Sequence, residues 1–262
     1  MNNSFRLAEQ AAKTIAERSG IEQHEIALTL GSGWIKAMTA DIVWQCEAHE
    51  IPGFREPEVE GFAPTISSIK LVSGKHALVL PRTHLYQGHG VDAVAHPART
   101  AAAAGANILV LTNGAGGIRK SWQPGTVVLI SDHINLTALS PIEGAKFVDL
   151  TDMYSKRLRE IAKTVDSSLD EAIYAQFRGP HYESPAEIQM AKIIGAELVG
   201  MSTALEAIAA REVGLEVLGL SLMTNHAAGI QDHPLSHAEV LAAGVAAEAR
   251  ISKLLAEIVK KL

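Results

Sequence analysis

The chain has 262 residues, of which 47% are hydrophobic, so it is long enough to bury a substantial core. A formal net charge of −6, without a dense run of Lys or Arg, gives no electrostatic reason to expect nucleic acid as a partner. Cys46 is the only cysteine, which excludes an intrachain disulfide and a metal site built on cysteines. The N-terminal residues lack a signal-peptide pattern, and no apolar run reaches the roughly 20 residues that span a bilayer, so we expect a cytoplasmic protein without a membrane anchor.

Apolar runs alternate with helical patterns along the chain, as repeated β–α–β units require. A helix is predicted first, over Leu7–Arg18. Apolar runs that end in glycine or polar residues then predict strands over residues 26–30, 76–80, 107–112, 126–130 and 215–225. Helical spacing predicts further helices over Val91–Gly105, Pro185–Ile194, Ala204–Val213 and His237–Leu262. The pattern therefore predicts one α/β domain over residues 1–262, with a largely parallel central sheet.

One connection is longer and less regular than the others. It runs from Asn135 to Asp152 and contains Pro141 and Gly144. Long irregular connections in a compact domain are commonly functional. We therefore expect a binding loop or a subunit contact in this segment.

Polar side chains follow four of the predicted strands, where ligands of open α/β sheets usually bind. These side chains belong to Ser32, to Arg82, His84 and Tyr86, to the segment Asn113–Gly117, and to Thr224 and Asn225. Because the carboxyl ends of parallel strands meet at one edge of the sheet, the sequence predicts a shared pocket there.

Several of these residues suit an anion, although each also has an ordinary structural interpretation. Gly31–Gly33 would let backbone amides and the Ser32 hydroxyl approach an anion, or form a simple turn. Arg82 and His84 alternate onto one face of an extended segment and could reach one phosphate, or serve as a surface ion pair and a core histidine. The segment Asn113–Gly117 lacks the G-x-G-x-x-G spacing of a dinucleotide site, so we reject NAD binding.

A second group of residues suits a flat ring. In Gly179–Pro185, a turn presents Tyr182 for stacking and Glu183 as a hydrogen-bond acceptor, or else Glu183 complements the dipole of the helix that follows. Val199–Thr203 is predicted to be a strand end, where Met201 packs either on a sugar or base or in the core.

Taken together and in order, these segments resemble the trimeric purine nucleoside phosphorylases, particularly actinobacterial-like members. The similarity covers nearly the entire chain. It implies a single α/β domain with a mixed, partly barrel-like sheet surrounded by helices, acting as a homotrimer with phosphate as co-substrate and without a metal or organic cofactor. The segments that carry the resemblance are LGSGW (30–34), RTHLYQGHG (82–90), LTNGAGG (111–117), ISDHINLT (130–137), FVDLTDMYS (147–155), GPHYESPAE (179–187), VGMST (199–203), SLMTN (221–225) and LSHAEVLAAG (235–244).

The resemblance also implies a role for each matching position. Phosphate would be held by Ser32, Arg82, His84, the Gly114 backbone and Ser202. Ribose would be contacted by Tyr86, Met201 and His237, and the base by Tyr182, Glu183, Val199, Thr224 and Asn225. Phe147 would reach into the pocket of the neighbouring subunit. The catalytic residues would be Asn225, Glu183 and His84.

The function implied is phosphorolysis of 6-oxopurine nucleosides (inosine, guanosine and their deoxy forms) to the free base and ribose 1-phosphate, as in purine salvage. Asn225 favours this class of base, whereas an aspartate there would favour 6-aminopurines. Two alternatives stay open: a methylthioadenosine phosphorylase, which would want that aspartate, and a nucleoside-binding homologue with weakened or lost phosphorolysis.

Two positions depart from the family pattern. Phe62 stands where the family usually has a histidine that contacts phosphate, and Gln87 stands where it usually has a carboxylate. Alternatively, the loop around Phe62 is shifted relative to the family and a nearby residue substitutes for the histidine. Phenylalanine donates no hydrogen bond, and an amide cannot accept a proton or balance a positive charge as a carboxylate does. We therefore predict weakened phosphate affinity, and a phosphate KM like that of ordinary family members would contradict this.

Overall fold

A computed structural model describes residues 3–34, 37–38, 41–55, 65–230 and 234–262. Within these residues, nine strands form one sheet. The strands are β1 Ile26–Thr29, β2 Ile42–Glu47, β3 Thr65–Lys70, β4 His76–Leu80, β5 Ile108–Gly117, β6 Val127–Asn135, β7 Asp170–Gln176, β8 Leu198–Gly200 and β9 Glu216–His226. The α-helices are α1 Asn3–Ser19, α2 Val91–Ala103, α3 Lys156–Val165, α4 Pro185–Ile193, α5 Ala204–Glu212 and α6 His237–Val259.

The sheet closes on itself over part of its width. Its strand order is β2-β3-β4-β1-β5-β8-β7-β6-β9, and β9 also pairs with β5, so β5, β8, β7, β6 and β9 form a ring. β1, β4, β3 and β2 extend from this ring as an open sheet. This arrangement confirms the mixed, partly barrel-like sheet that the family resemblance implies.

The largely parallel sheet predicted from the strand pattern is wrong in detail. The pairs β1–β4, β1–β5, β5–β9, β6–β7 and β7–β8 are parallel, but β2–β3, β3–β4, β5–β8 and β6–β9 are antiparallel. The strands β2, β3 and β4 follow one another as an antiparallel meander, which needs no crossover helix. The apolar-run pattern did not predict β2 and β3, because Gln45 interrupts the apolar residues of β2, and only Ile66 and Ile69 of β3 are apolar.

Helices cover the sheet and bury its central strands. Every residue of β1 is buried, and so is nearly all of β5 and β9, as expected for strands covered on both faces. On one side α2 packs against α1 and α5, while α6 packs on β9 and α3. α2 and α5 approach closely because their buried positions are rich in alanine. No described helix is long and apolar enough to cross a membrane.

The predicted helices and strands are present with small shifts at their ends, but two strands are longer than predicted. β5 continues through Asn113–Gly117, which the sequence indicated as a loop, because these residues pair with β9 and β8 where the ring closes. β6 likewise continues to Asn135 beside β7. The helix α3 and the strand β7 were not predicted. In β5 and β6, glycine and polar residues therefore interrupt the apolar pattern before the strand ends.

The irregular connection predicted between Asn135 and Asp152 is present. Within the described chain, no helix or strand lies between the end of β6 and the start of α3. Two contacts tie the connection to the helices: Arg99 Nη2 donates to the Pro141 carbonyl at 2.8 Å, and Lys146 Nζ donates to Glu212 Oε1 at 3.0 Å. Phe147, next to the second contact, is 98% exposed in the single chain.

Candidate active site

A cavity lies at the ends of β1, β4, β5, β8 and β9. Its empty space is about 770 Å³, which includes solvent at the open mouth. By the ligand that the family resemblance implies for each residue, we divide much of the lining into two groups, which we call the Arg82 end (Ser32, Arg82, His84, Gly114 and Ser202) and the Glu183 end (Tyr182, Glu183, Val199, Thr224 and Asn225). The predicted pocket at the strand ends is therefore present.

Arg82 follows β4 and is held by the protein on two sides. Its Nε donates to both carboxylate oxygens of Glu206, at 3.0 and 2.9 Å, and its Nη1 donates to the Thr112 carbonyl at 2.7 Å. The side chains of Arg82 and Glu206 are only 1% and 2% exposed. Among the described residues, Nη2 has no partner. This nitrogen is therefore the part of the guanidinium left for a ligand.

Gly31 permits this packing because it has no side chain. A Cβ at Gly31 would lie 2.4 Å from Arg82 Nη1 and 2.4 Å from the Thr112 carbonyl oxygen. The Gly31 N–H donates to Thr112 Oγ1 at 3.0 Å, which fixes the end of β1 beside β5. The glycine predicted to allow an anion to approach also allows Arg82 to pack against the backbone, and it places Ser32 at the cavity wall.

Ser202 is presented by a tight turn between β8 and α5. Thr203 has a φ of 85°, which is uncommon for a β-branched residue, and its N–H donates to Glu206 Oε2 at 2.8 Å. Thr203 Oγ1 accepts from Asn113 Nδ2 at 2.9 Å and lies 3.2 Å from Ser202 Oγ. A polar network thus connects the turn to β5 and to Glu206.

The first amides of α5 are used inside the protein. The N–H groups of Ala204 and Leu205 donate to Gln176 Oε1 at 2.8 and 3.2 Å. Helix N-termini usually offer such amides to anions. Here an anion near Ser202 would contact the hydroxyl of the turn and not these first amides of the helix.

His84 is kept neutral at the Arg82 end. Its ring stacks on Tyr86 with centroids 4.7 Å apart, and burial, assisted by the neighbouring charge of Arg82, lowers the pKa of His84 to about 3. Gln87 Oε1 accepts from the His84 backbone N–H at 2.7 Å. The amide at position 87 therefore supports the backbone of this turn without adding a charge. Phe62, the other departure from the family pattern, lies outside the described residues.

Glu183 is buried, and the described residues leave one of its carboxylate oxygens without a hydrogen bond. The residue is 6% exposed, and Glu183 Oε1 has no partner in the described part of the chain. Burial is the main cause that raises the pKa of this carboxyl group. Helix entry is served by another residue, because Ser184 and Glu187 form the capping box of α4, with Ser184 N donating to Glu187 Oε2 at 2.7 Å. Glu183 is thus left available to a ligand.

Gly179 shapes the turn that precedes Glu183. Its φ is +67°, and a Cβ there would lie 2.4 Å from Met201 Sδ. Only glycine accommodates both the left-handed conformation and this close approach. The turn therefore packs directly on Met201, which itself lines the cavity.

Asn225 has a side-chain amide oriented by its neighbours. Thr224 Oγ1 donates to Asn225 Oδ1 at 2.7 Å, and Asn225 Nδ2 donates to the His226 carbonyl at 2.9 Å. An amide nitrogen carries two hydrogens, so one remains for a ligand. Asn225 can therefore donate one hydrogen bond into the cavity while Thr224 holds its oxygen.

Comparison with known proteins agrees with this chemistry. Residues 25–260 match the model of the phosphorylase superfamily. A purine nucleoside phosphorylase of Cellulomonas sp is 60% identical, over 98% of this chain and 94% of its own length. The purine nucleoside phosphorylase of Mycobacterium tuberculosis (strain ATCC 25618 / H37Rv) is 52% identical, over 97% of this chain and 96% of its own. The chain belongs to the purine nucleoside phosphorylase family.

Solved structures of the family share the fold. A Schistosoma mansoni purine nucleoside phosphorylase in complex with inosine superimposes with a TM-score of 0.89 at 30% identity, covering 98% of this chain and 96% of that one. A schistosoma purine nucleoside phosphorylase in complex with hypoxanthine gives a TM-score of 0.87 at 30% identity, covering 97% and 96%. The predicted family, fold class and enzyme class are thereby confirmed.

The cavity of this family member brings together most of the residues that the resemblance singled out. Those lining it are Ser32, Arg82, His84, Tyr86, Gly114, Tyr182, Glu183, Val199, Met201, Ser202, Thr224 and Asn225. Phe147 does not line the cavity of its own chain. His237 begins α6, and its side chain lies outside the described residues.

The cavity is also lined by Asn113, Ala115 and Gly116, which belong to the segment that the sequence placed at a strand end. The remaining lining residues carried no chemical signal in the sequence; they are Gly200, Ala227, Leu235 and Val240. Most of these are small or apolar and provide walls and space. Gln176 and Glu206, which hold the α5 turn, were missed as well. The sequence offered one signal, because Glu206 is a charged residue within the alanine-rich segment 204–210. In the structure every residue of this segment is buried.

Among the described residues, no group of three or more His, Cys, Asp or Glu side chains is placed to hold a metal ion.

Proposed function

We propose that this protein cleaves 6-oxopurine nucleosides (inosine, guanosine and their deoxy forms) with phosphate, yielding the free base and ribose 1-phosphate. One observation supports this most directly: one cavity has a fixed guanidinium corner at Arg82 and a buried Glu183 carboxylate oxygen that has no partner among the described residues. The reaction needs an anion at one end and a purine at the other.

At the Arg82 end, phosphate would accept hydrogen bonds from Arg82 Nη2, from the Ser32 and Ser202 hydroxyls and from the Gly114 amide. The neutral His84 ring would add a further contact. Held in this position, a phosphate oxygen forms the new bond to C1′ of the ribose while the bond from C1′ to N9 breaks. Because the anion also stabilises the positive charge that develops on the sugar, its placement accounts for much of the rate enhancement.

At the Glu183 end, the electrons of the broken bond move into the purine ring. The free hydrogen of Asn225 Nδ2 would bond to N7 as that atom gains charge. The Glu183 carboxylate would accept the N1–H of a 6-oxopurine. Together with His84 of the Arg82 end, Asn225 and Glu183 form the catalytic set that we propose.

Base preference follows from the same two residues of the Glu183 end. A 6-aminopurine has an unprotonated N1, whose lone pair would face the Glu183 carboxylate. Asn225 Oδ1, which would have to accept from the amino group, is already bonded by Thr224 at 2.7 Å. Family structures from Schistosoma contain inosine, guanosine and also adenosine, so the preference of this chain rests on its own residues.

Between the two ends, we propose that Tyr86, Met201 and His237 contact the ribose, and that Tyr182 and Val199 contact the base. We also propose a homotrimer in which Phe147 reaches the pocket of the neighbouring subunit. The exposed Phe147 side chain, beside a connection tied down by Arg99 and Lys146, supports this assembly.

No step of this mechanism requires a metal ion or an organic cofactor, and we propose that none is used. The proposed place of the reaction is the cytoplasm, where purine salvage occurs and where a free thiol such as that of Cys46 persists.

The test is phosphorolysis by the purified protein across inosine, guanosine, adenosine and 5′-methylthioadenosine. We expect cleavage of inosine and guanosine, with kcat/KM for adenosine lower by about 100-fold or more. Turnover of adenosine or methylthioadenosine without cleavage of the 6-oxopurines would refute the proposal. Binding of hypoxanthine without any phosphorolysis would instead favour a binding protein that has lost turnover.

A single substitution tests the role of Asn225. In Asn225→Asp, we expect the ratio of kcat/KM for adenosine to kcat/KM for inosine to rise by about 10-fold or more, because a carboxylate accepts from the 6-amino group. The control is Asn107→Asp, which makes the same change at an exposed position outside the cavity. An unchanged ratio in Asn225→Asp would remove Asn225 from the determinants of base preference.

A further inference from the structure

Glu206 is a buried carboxylate that does not itself line the cavity. It lies in the first turn of α5, and its side chain is 2% exposed. A buried carboxylate is costly unless charged or polar partners satisfy it. Its partners here are Arg82 Nε, at 3.0 and 2.9 Å, and the Thr203 N–H, at 2.8 Å.

The two partners belong to different walls of the Arg82 end. Arg82 follows β4, whereas Thr203 belongs to the turn that presents Ser202. Thr203 has a φ of 85°, a conformation that costs energy for a β-branched residue and persists only where its surroundings enforce it. Glu206 therefore fixes the guanidinium and this turn with the same carboxylate.

We propose that Glu206 is a positioning residue for phosphate. It sets Arg82 Nη2 and the Ser202 hydroxyl in the arrangement that phosphate requires, and it acts through Arg82 and Thr203 without touching the ligand. The inference rests on the proposed function only in that phosphate occupies this end of the cavity.

The charges in this region make the role testable. Glu206 balances the charge of Arg82. Apart from Arg82 and histidine, the only acidic or basic side chain that lines the described cavity is Glu183. Phosphate binding at the Arg82 end therefore depends on placed hydrogen-bond donors more than on excess positive charge. Removing the carboxylate charge raises the local positive charge but releases the guanidinium. The two effects on phosphate affinity have opposite signs.

The decisive variant is Glu206→Gln, which keeps the length of the side chain and removes its charge. We expect the KM for phosphate to rise by about 10-fold or more, because the donors at Nη2 and Ser202 are no longer held in place. The KM for inosine should stay within about threefold of wild type, since the Glu183 end is untouched. Calorimetry with inorganic phosphate alone should show the same loss of affinity.

The matched control is Glu171→Gln, on β7. The Glu171 side chain is 28% exposed and pairs with Arg159, which is 14% exposed, and with Lys163 Nζ at 2.7 Å, and none of these residues lines the cavity. Both variants should lower the unfolding temperature, because each removes the charge that pairs with an arginine, and the decrease should be larger for the more deeply buried Glu206. Only Glu206→Gln should raise the phosphate KM.

A phosphate KM in Glu206→Gln equal to or below that of wild type would overturn the proposal. If that variant does not fold, Glu206→Asp decides, because it keeps the buried charge but shortens the reach; a phosphate KM within about twofold of wild type would then overturn it. Wild-type protein that binds inorganic phosphate but does not cleave inosine would refute the proposed function alone. Wild-type protein that does not bind phosphate would refute both.

Discussion

The two ends of the cavity differ in how their charged groups are held before any ligand binds. At the Arg82 end, Glu206, Thr112 and Asn113 bond to the residues around them and leave one corner of a guanidinium free. At the Glu183 end, a buried carboxylate oxygen has no partner within the described chain, and Tyr182 is 37% exposed. Each end thus keeps a buried polar atom for a ligand, but among the described residues only the Arg82 guanidinium is held by a side chain of opposite charge. For this reason we call the Arg82 end preorganised.

Chain topology explains this difference. The Arg82 end is built from the ends of β1, β4 and β5, which pair with one another in the continuous sheet. Glu183 instead lies on a turn between β7 and α4, whose hydrogen bonds are spent on the helix cap of Ser184 and Glu187. We expect substitutions at the Glu183 end to act on the ligand, and substitutions at the Arg82 end to act on both ligand and fold.

The largest effect is expected for Glu183→Ala. Loss of the acceptor for N1–H should lower kcat/KM for inosine and guanosine by about 100-fold, as removal of a hydrogen bond to a charged group does. Stability should not fall, because the variant also removes a buried polar atom without a partner. Steady-state kinetics and urea unfolding measure the two quantities.

Glu187→Ala provides the control for that variant, since it removes a carboxylate four positions along the same segment that caps α4 and does not line the cavity. It should lower stability by about 1 kcal/mol or less and leave the kinetics near wild type. Equal loss of activity in both variants would mean that the segment acts through its fold and not through Glu183.

A smaller effect is expected for Gly31→Ala at the preorganised end. The new methyl group would meet Arg82 Nη1 and the Thr112 carbonyl, both at 2.4 Å, and the carbonyl belongs to a buried strand that cannot yield. We expect stability to fall by about 1 to 3 kcal/mol and the phosphate KM to rise by about 10-fold. Urea unfolding and phosphate saturation kinetics measure these changes.

The neighbouring substitution Ser32→Ala separates packing from hydrogen bonding. It deletes one donor and adds no atoms, so the phosphate KM should rise by only about 3-fold, without loss of stability. If Gly31→Ala were as mild as Ser32→Ala, the preorganisation of the Arg82 end would not depend on the close packing of Arg82 at Gly31.

The smallest effect concerns pH. Burial raises the pKa of Glu183 above its usual value, so the carboxylate needed to accept N1–H is lost, as pH falls, sooner than an ordinary glutamate would lose it. His84 has a pKa of about 3, so it stays neutral from about pH 8 to about pH 5. Hypoxanthine affinity, measured by calorimetry without phosphate from about pH 8 to pH 5, should therefore weaken towards acid. The same decline in Glu183→Gln would assign it to another group.

Much of the fold was predictable because buried strands and alanine-rich helices leave clear patterns. The apolar runs 26–30 and 76–80 end close to where β1 and β4 end, which placed Ser32 and Arg82 at a common edge. The closure of the ring was not predictable from such patterns, since β5 continues through Asn113–Gly117 and β8 is only three residues long. Short and glycine-rich strands depend on partners distant in sequence.

Site residues were predictable where they belong to a sequence motif. Residues that hold another group in place without lining the cavity were not predictable. Glu183 and Asn225 gained meaning from the family resemblance. Glu206 and Gln176 could not be predicted, because a polar residue within a helix or strand is usually solvated, and only the packed structure shows that these two face inward. The prediction of weakened phosphate affinity stays a prediction: Gln87 supports the His84 backbone, and Phe62 lies outside the described residues.

The use of the first α5 amides by Gln176 has a consequence for turnover. In nucleotide-binding folds, several backbone amides at a helix N-terminus surround a phosphate and retain it strongly. At this turn the amides of Ala204 and Leu205 are already occupied, so a bound phosphate ester would contact hydroxyl groups, one guanidinium corner and a single proposed backbone amide, that of Gly114. These hydrogen bonds to the phosphate ester can be broken one after another. An enzyme that must release a sugar phosphate in every cycle benefits from such weaker binding, because tight retention of the product would limit its rate.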